Sequence, residues 1–228
     1  MLFKKLMAAA LMTVGMAGVS QAALVEGTDF VVLPETIPQL KQDKIEVLEF
    51  FGYFCIHCKN LDPSMTAHVK TFPTDTYFRA EHVVWRPEHL GLARIAAAVN
   101  ATGMKAQANP AIFKAVMDEG IDLSNPETFK QWAAQQSAFD GQKLLAAFNG
   151  FQNQTEAKNM ADLSTKYKIQ GTPTIIVGGK YQLQSQDMAK LDELIQKVRA
   201  ERGMPAAQAK PVLKVKATGS RLASQANQ

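Results

Sequence analysis

Cysteine is scarce in this chain of 228 residues, which contains only Cys55 and Cys58. A structural zinc site needs four ligands, so this pair would have to recruit two of the scattered histidines, His57, His68, His82 and His89. Attachment of a c-type haem requires histidine directly after the second cysteine, and the chain has Lys59 there. We therefore expect neither metal nor haem, with zinc kept as a minor alternative.

The chain also lacks the excess of basic residues that is typical of nucleic-acid-binding proteins. After its N-terminal segment it has no apolar stretch long enough to cross a bilayer. The formal net charge of +4 comes from the two ends. Of 25 basic residues, two lie before residue 6 and four lie after residue 202, which leaves 19 against 21 acidic residues. With a net charge of −2, residues 23–202 are not expected to bind nucleic acid.

The N-terminus has the pattern of a secretory signal peptide. Lys4 and Lys5 precede an uncharged run from residue 6 to 19, and Ser20-Gln21-Ala22 places small residues at the positions that specify cleavage. We expect residues 1–22 to be removed after Ala22, with an uncleaved anchor as the alternative. Export would place the protein where disulfides persist. The composition, 46% hydrophobic and 20% charged, is that of a globular chain with a large core in one or two domains.

The two cysteines form a C-x-x-C motif where an apolar strand meets a predicted helix over residues 56–72. At the helix N-terminus, free N–H groups and the positive end of the dipole favour a thiolate on Cys55. Cys58 lies one turn further on and can close a disulfide with Cys55. The alternative, an inert structural disulfide, is weak because a loop of two residues restrains the unfolded chain little.

Glu49 is an anomaly in the predicted central strand over residues 44–51, whose other residues are mostly apolar. A carboxylate there must be paired, hydrated or partly neutral. Six residues before Cys55, it could receive and return the proton of Cys58. The alternative is a structural ion pair with Lys44 or Lys180.

The rest of the chain predicts strands and helices in alternating blocks. Strands are expected over 28–33 and 77–85, four helices over 88–151, a helix over 155–167, a hairpin with a Gly178-Gly179 turn, and a helix over 187–202. Pro63 should kink the cysteine-bearing helix or make it restart. Pro173, at the start of a strand, indicates a special turn, and a cis Thr172-Pro173 bond would leave the Thr172 backbone free to pair with an extended peptide. A trans edge proline is the alternative.

These blocks resemble the DsbA family of bacterial periplasmic thiol:disulfide oxidoreductases within the thioredoxin superfamily. The resemblance is carried by Val47-Leu-Glu-Phe-Phe, Phe54-Cys-Ile-His-Cys58, Gly171-Thr-Pro173 and Val177-Gly-Gly-Lys-Tyr-Gln-Leu183. It implies an α/β fold: a thioredoxin fold (residues 23–86 and 153–202) with an inserted all-α helical domain (87–152), followed by a tail (203–228).

The resemblance also implies roles for individual residues. Cys55 would be the reactive thiolate, Cys58 the resolving thiol, His57 the thiolate stabiliser, Glu49 the buried acid and Pro173 the cis-proline beside the sulfurs. From the residues themselves, we expect unfolded chains to bind to apolar side chains around the motif, namely Phe51, Tyr53, Phe54 and Ile56. Thr172 and Pro173 would lie beside this apolar surface.

By the same resemblance, the Cys55–Cys58 disulfide would be the redox centre without a further cofactor. The implied partners are reduced or unfolded exported proteins and a quinone-linked membrane oxidase of the DsbB type. The chain has Ile56 where well-known members of the family have proline. It has Thr172 where some members have valine, and disulfide isomerases have threonine at that position. Only about eight residues separate Ala22 from the first strand, which leaves no room for an N-terminal dimerisation domain, so we expect a monomer. An isomerase or reductase, or a non-catalytic peptide-binding module, remains the alternative.

Overall fold

The structure is a computed structural model that describes residues 24–208, and the predicted signal peptide and residues 209–228 of the predicted tail lie outside it. The described residues form five strands and seven α-helices. In chain order these are β1 (Phe30–Val32), β2 (Ile45–Phe51), α1 (Ile56–Val69), β3 (Thr76–His82), α2 (His89–Thr102), α3 (Lys105–Phe113), a π-helical turn (Lys114–Asp118), α4 (Pro126–Ala134), α5 (Gly141–Phe148), α6 (Asn153–Lys166), β4 (Thr174–Val177), β5 (Tyr181–Leu183) and α7 (Met188–Glu201). None of the helices within residues 24–208 combines the length and apolarity that a bilayer span requires.

The five strands make one mixed sheet in the order β1-β5-β4-β2-β3. β2 is parallel to β3 and antiparallel to β4, and all seven of its residues are buried. Because side chains alternate across a strand, Ile45 and Val47 pack toward α1 and α7, whereas Leu48 and Phe50 pack on the opposite side near Ile169. The predicted central strand is thus confirmed, and it holds Glu49 inside the molecule.

Four helices, α2 to α5, lie between β3 and α6, as the sequence predicts. Asn125 caps α4 by accepting the N–H groups of Glu127 and Thr128, with Pro126 at the first helical position. The aromatic residues of this region form its core, and Phe129 packs between Trp132 and Phe148. This aromatic group belongs to a larger apolar core that also includes Phe51, Tyr53 and Ala80 of the sheet side.

Three local predictions need correction. α1 continues through the exposed Pro63 and does not restart there, and the kink at Pro63 stays a prediction. α1 ends at Val69, before Phe72. β3 ends at His82 instead of Trp85, since the chain turns there and the Trp85 indole N–H donates to the Ile169 carbonyl at 2.7 Å.

Candidate active site

Cys55 is the residue that caps the N-terminus of α1, as predicted. Its backbone is extended, with φ −103° and ψ 116°, and its sulfur accepts the backbone N–H of Cys58 at 3.3 Å. Both cysteines are free thiols in the structure. The helix thus presents a backbone donor and the positive end of its dipole to the Cys55 sulfur.

The two sulfurs have different surroundings. Cys55 is half-buried, whereas Cys58 is 1% exposed. Burial raises the pKa of the Cys58 thiol well above its usual range, and the neighbouring Cys55 sulfur raises it further. Cys58 therefore holds its proton firmly and needs a partner to exchange it with.

The cis-proline turn lies directly beside Cys55. The Thr172–Pro173 peptide bond is cis, which confirms the prediction and excludes the trans alternative. The Cys55 thiol donates to the Thr172 carbonyl at 3.3 Å. Next to this turn is a groove of about 460 Å³ lined by Pro173, Ile175 and residues 182–186. The structure thus places the cis-proline turn against Cys55 and a groove next to that turn.

The predicted apolar surface is only partly present. Ile56 is 48% exposed, and Phe54 is half-buried with its ring stacked on His89 at a centroid distance of 4.0 Å. Phe51 and Tyr53 are buried, so the prediction that they receive unfolded chains is wrong. Both point into the core between the sheet and the insertion, which is closed to a polypeptide.

His57 lies in the first turn of α1 and is exposed. Among the described residues its ring has no hydrogen-bond partner, and it follows Cys55 by two positions. It is therefore free to turn toward the sulfur or toward a bound chain.

Glu49 is 2% exposed and pairs with Lys105, whose Nζ lies 3.2 Å from Oε2 of Glu49. The suggested partners Lys44 and Lys180 are wrong. Lys44 donates to the Thr74 carbonyl, and Lys180 pairs with Glu201 on the surface. Lys105 begins α3, so the cation comes from the helical insertion and not from the sheet.

A buried polar network that was not predicted from the sequence surrounds this pair. The Tyr53 hydroxyl donates to Oδ1 of Asn109 at 2.8 Å, and Nδ2 of Asn109 donates to Oδ1 of Asp62 at 2.7 Å. Lys105 Nζ is 3.9 Å from the same Asp62 oxygen. Burial raises the pKa of Asp62, while the Lys105 charge and the Asn109 hydrogen bond lower it. Asp62 could have been noticed because it follows Cys58 by four residues and so shares its helix face.

His82 is another residue of the site, and no local signal in the sequence marks it. Its Nε2 accepts the Tyr53 backbone N–H at 3.0 Å, and its Nδ1 donates to the Val83 carbonyl at 2.8 Å. Burial lowers the pKa of His82 to about 3, so the ring is neutral. It fixes the backbone of the segment that leads into Cys55. Within residues 24–208, no three His, Cys, Asp or Glu side chains converge into a group that could hold a metal ion.

The family model of the DSBA-like thioredoxin domain matches residues 46–196, a range that contains the cysteine motif, the helical insertion and the cis-proline turn. The chain belongs to this family. A DsbA relative, the thiol:disulfide interchange protein DsbA of Burkholderia cepacia, is 34% identical over 183 residues, which cover 78% of this chain and 86% of the relative.

Two solved DsbA structures are also similar. The oxidoreductase NmDsbA1 from N. meningitidis is 48% identical, with a TM-score of 0.77 over 80% of this chain and 98% of its own. NmDsbA3 from Neisseria meningitidis is 50% identical, with a TM-score of 0.73 over 79% of this chain and 100% of its own. The predicted thioredoxin fold with a helical insertion is confirmed. The protein is a DsbA-like thiol:disulfide oxidoreductase with the Cys55–Cys58 pair as its C-x-x-C motif.

Proposed function

We propose that the protein works as an oxidant in the periplasm and donates its Cys55–Cys58 disulfide to reduced or unfolded exported proteins. The observation that carries this is the unequal environment of the two sulfurs. Cys55 sits at a helix N-terminus and accepts a backbone N–H, which stabilises a thiolate, whereas Cys58 is buried. A stabilised Cys55 thiolate favours the reduced pair, and a pair that prefers to be reduced gives its disulfide away.

The reaction proceeds by two thiol–disulfide exchanges. A substrate thiolate attacks the Cys55 sulfur, a mixed disulfide forms, and the Cys55–Cys58 bond breaks. Cys58 leaves as a thiolate and takes up a proton, because its buried sulfur binds a proton strongly, and Glu49 is the group that we assign to relay this proton. A second substrate thiolate attacks the substrate sulfur of the mixed disulfide and releases the Cys55 thiolate. The substrate loses two electrons to the cysteine pair.

Other residues would position the substrate. Thr172 and Pro173 offer a backbone edge to an extended peptide beside Cys55. Ile56 and Phe54 add apolar surface for an unfolded chain, and His57 in its imidazolium form would stabilise the Cys55 thiolate.

The cycle needs an oxidant that restores the disulfide. A quinone-linked membrane oxidase of the DsbB type fits this step, since its product is again the Cys55–Cys58 bond. We propose that the mature protein starts after Ala22, acts as a monomer and requires no further cofactor.

The test is oxidation of a reduced, denatured protein by the purified oxidised mature chain. Wild type should introduce disulfides, and Cys55→Ser should reduce the rate to that of the uncatalysed reaction, because no mixed disulfide can form. Peptide binding that survives Cys55→Ser without any wild-type oxidation would instead support a binding module. Titration against glutathione buffers measures the redox equilibrium of the Cys55–Cys58 pair. An isomerase or reductase would have a markedly more reducing pair than an oxidase.

A further inference from the structure

The outer edge of β3 is open. The strand order of the sheet ends at β3, and within residues 24–208 no strand pairs with its outer side. The Ala80 carbonyl accepts the Asn100 side chain of α2 and therefore points away from β2. Because backbone groups alternate between the two sides of a strand, the N–H and C=O groups of Phe78 point the same way. An edge of this kind can take up a further strand.

A groove of about 560 Å³ runs along this edge, between β3, α2 and α6. Side chains alternate along β3, so Phe78 and Ala80 face one side of the groove and Glu81 faces the other. Glu156 of α6 also lines the groove, and so does Leu40, which is 69% exposed. The groove therefore combines apolar and acidic groups, which match a strand that has apolar residues on one face and basic residues on the other.

The described part of the chain ends where this edge begins. After α7, the Gln208 carbonyl accepts the Thr74 N–H at 3.3 Å. Thr74 lies two residues before β3, and the next carbonyl, that of Asp75, accepts the Ile45 N–H of β2. By the same alternation, the Thr74 N–H lies on the open side of the sheet. Gln208 thus already forms one hydrogen bond in line with the open edge.

The residues that follow Gln208 have the length and the pattern of such a strand. Apolar and basic side chains alternate there, in the order Leu213, Lys214, Val215 and Lys216. Residues 209–216 span about 26 Å when extended, and the distance along the edge from Thr74 to Glu81 is about 23 Å. Residues 203–228 contain four basic residues and no acidic one, which suits the acidic side of the groove.

We propose that residues 209–216 add to the sheet as a sixth strand along the open edge of β3, in the groove beside α2 and α6. The occupant of the groove is thus a segment of the same chain. Its effect would be to close an edge that could otherwise pair with other extended chains. The inference does not depend on the redox function proposed above.

The Thr74–Gln208 hydrogen bond fixes the register if it continues as a parallel ladder. The contacts that this register creates on the three following pairs are Leu213 beside Phe78, Val215 beside Ala80 and Lys216 beside Glu81. Lys214 lies beside Arg79, whose charge is already paired with Glu46 and Glu81. Apolar residues therefore meet the apolar side of the groove, and Lys216 meets its acidic side.

Hydrogen exchange of the Phe78 backbone N–H, measured by NMR, tests the proposal. In this register the Phe78 N–H donates to the Val212 carbonyl. It should exchange at least about tenfold more slowly in the chain of residues 23–228 than in a chain that ends at Gln208. The N–H groups of β2, which is paired on both sides, show that each protein retains its fold.

Point variants test the same contact without truncation. Leu213→Asp and Val215→Asp each place a charge on the apolar side of the groove, so both should give the fast exchange of the truncated chain. Ala223→Asp lies beyond the proposed strand and is the matched control, which should keep the slow exchange of wild type.

Three outcomes would overturn the inference. One is the same Phe78 exchange rate in wild type and in both aspartate variants of the strand. Another is slow exchange that requires a high protein concentration, because a second copy would then supply the added strand. The third is slow exchange only after a reduced, denatured protein is added, which would assign the open edge to that protein instead.

Discussion

His82 is held in one protonation state by its two hydrogen bonds. Its Nδ1 already donates to a carbonyl, and its Nε2 must stay an acceptor for the Tyr53 N–H. Protonation would place a donor against a donor inside a fully buried site. The cysteine segment is therefore anchored only while this imidazole is neutral.

The sign of the resulting pH dependence can be tested. The pKa of His82 is about 3 in the folded protein, below its ordinary value near 6.5, so only the unfolded chain takes up this proton between those pH values. His82 thus contributes stability that is present above pH 6.5 and lost as the pH falls toward 3. Between pH 6.5 and 4.5, wild type should lose about 2 kcal/mol more unfolding free energy than His82→Gln. Urea unfolding at the two pH values measures this, and an equal loss in both proteins would contradict it.

At the scale of elements, the contact between α2 and the loop before α4 depends on a missing side chain. A Cβ atom on Gly91 would lie 2.1 Å from the Ser124 carbonyl oxygen, which is backbone and cannot rotate away. The helix and the loop can approach this closely only because position 91 is glycine.

Gly91→Ala sets two effects against each other. Helix propensity alone would stabilise the protein by up to about 1 kcal/mol. The overlap with Ser124 should outweigh it and destabilise the protein by about 1–3 kcal/mol. Thermal or urea unfolding of Gly91→Ala and wild type measures the difference in stability. A variant as stable as wild type, or more stable, would show that the loop at Ser124 can move away without loss of stability.

The sequence was informative where the signal is local. The cysteine motif and the cis-proline turn are each encoded by a few adjacent residues, and the structure has both. The partner of Glu49 was predicted wrongly because Lys105 is 56 residues away and reaches the acid only after α3 has packed. His82 was missed for the same reason, since its burial is decided by elements distant in sequence, whereas Asp62 was overlooked although its spacing to Cys58 is a local signal. The boundaries of the helical domain stay a prediction.

At the scale of the whole molecule, the proposed oxidant role implies a link between redox state and stability. If the Cys55–Cys58 pair is reduced more readily in the folded protein than in the unfolded chain, a thermodynamic cycle fixes the order of stability. The reduced protein must then have the larger free energy of unfolding. A difference of about 2 kcal/mol in unfolding free energy between the two forms corresponds to a melting temperature roughly 4–8 °C higher for the reduced form. Calorimetry with and without reductant measures this, and Cys55→Ser/Cys58→Ser is the control whose melting temperature should not respond. Equal or reversed values would remove the strong-oxidant interpretation.

The strand order of the sheet joins parts of the site that are synthesised at different times. β2 pairs with β3, which follows it closely, and with β4, which follows only after residues 83–173, the segment that contains α2 to α6. Synthesis runs from the N-terminus, and contacts between residues far apart along the chain close late. Cys55 therefore exists in the nascent polypeptide long before Thr172 and Pro173 arrive beside it. A prematurely terminated chain would carry both thiols without the cis-proline turn beside them.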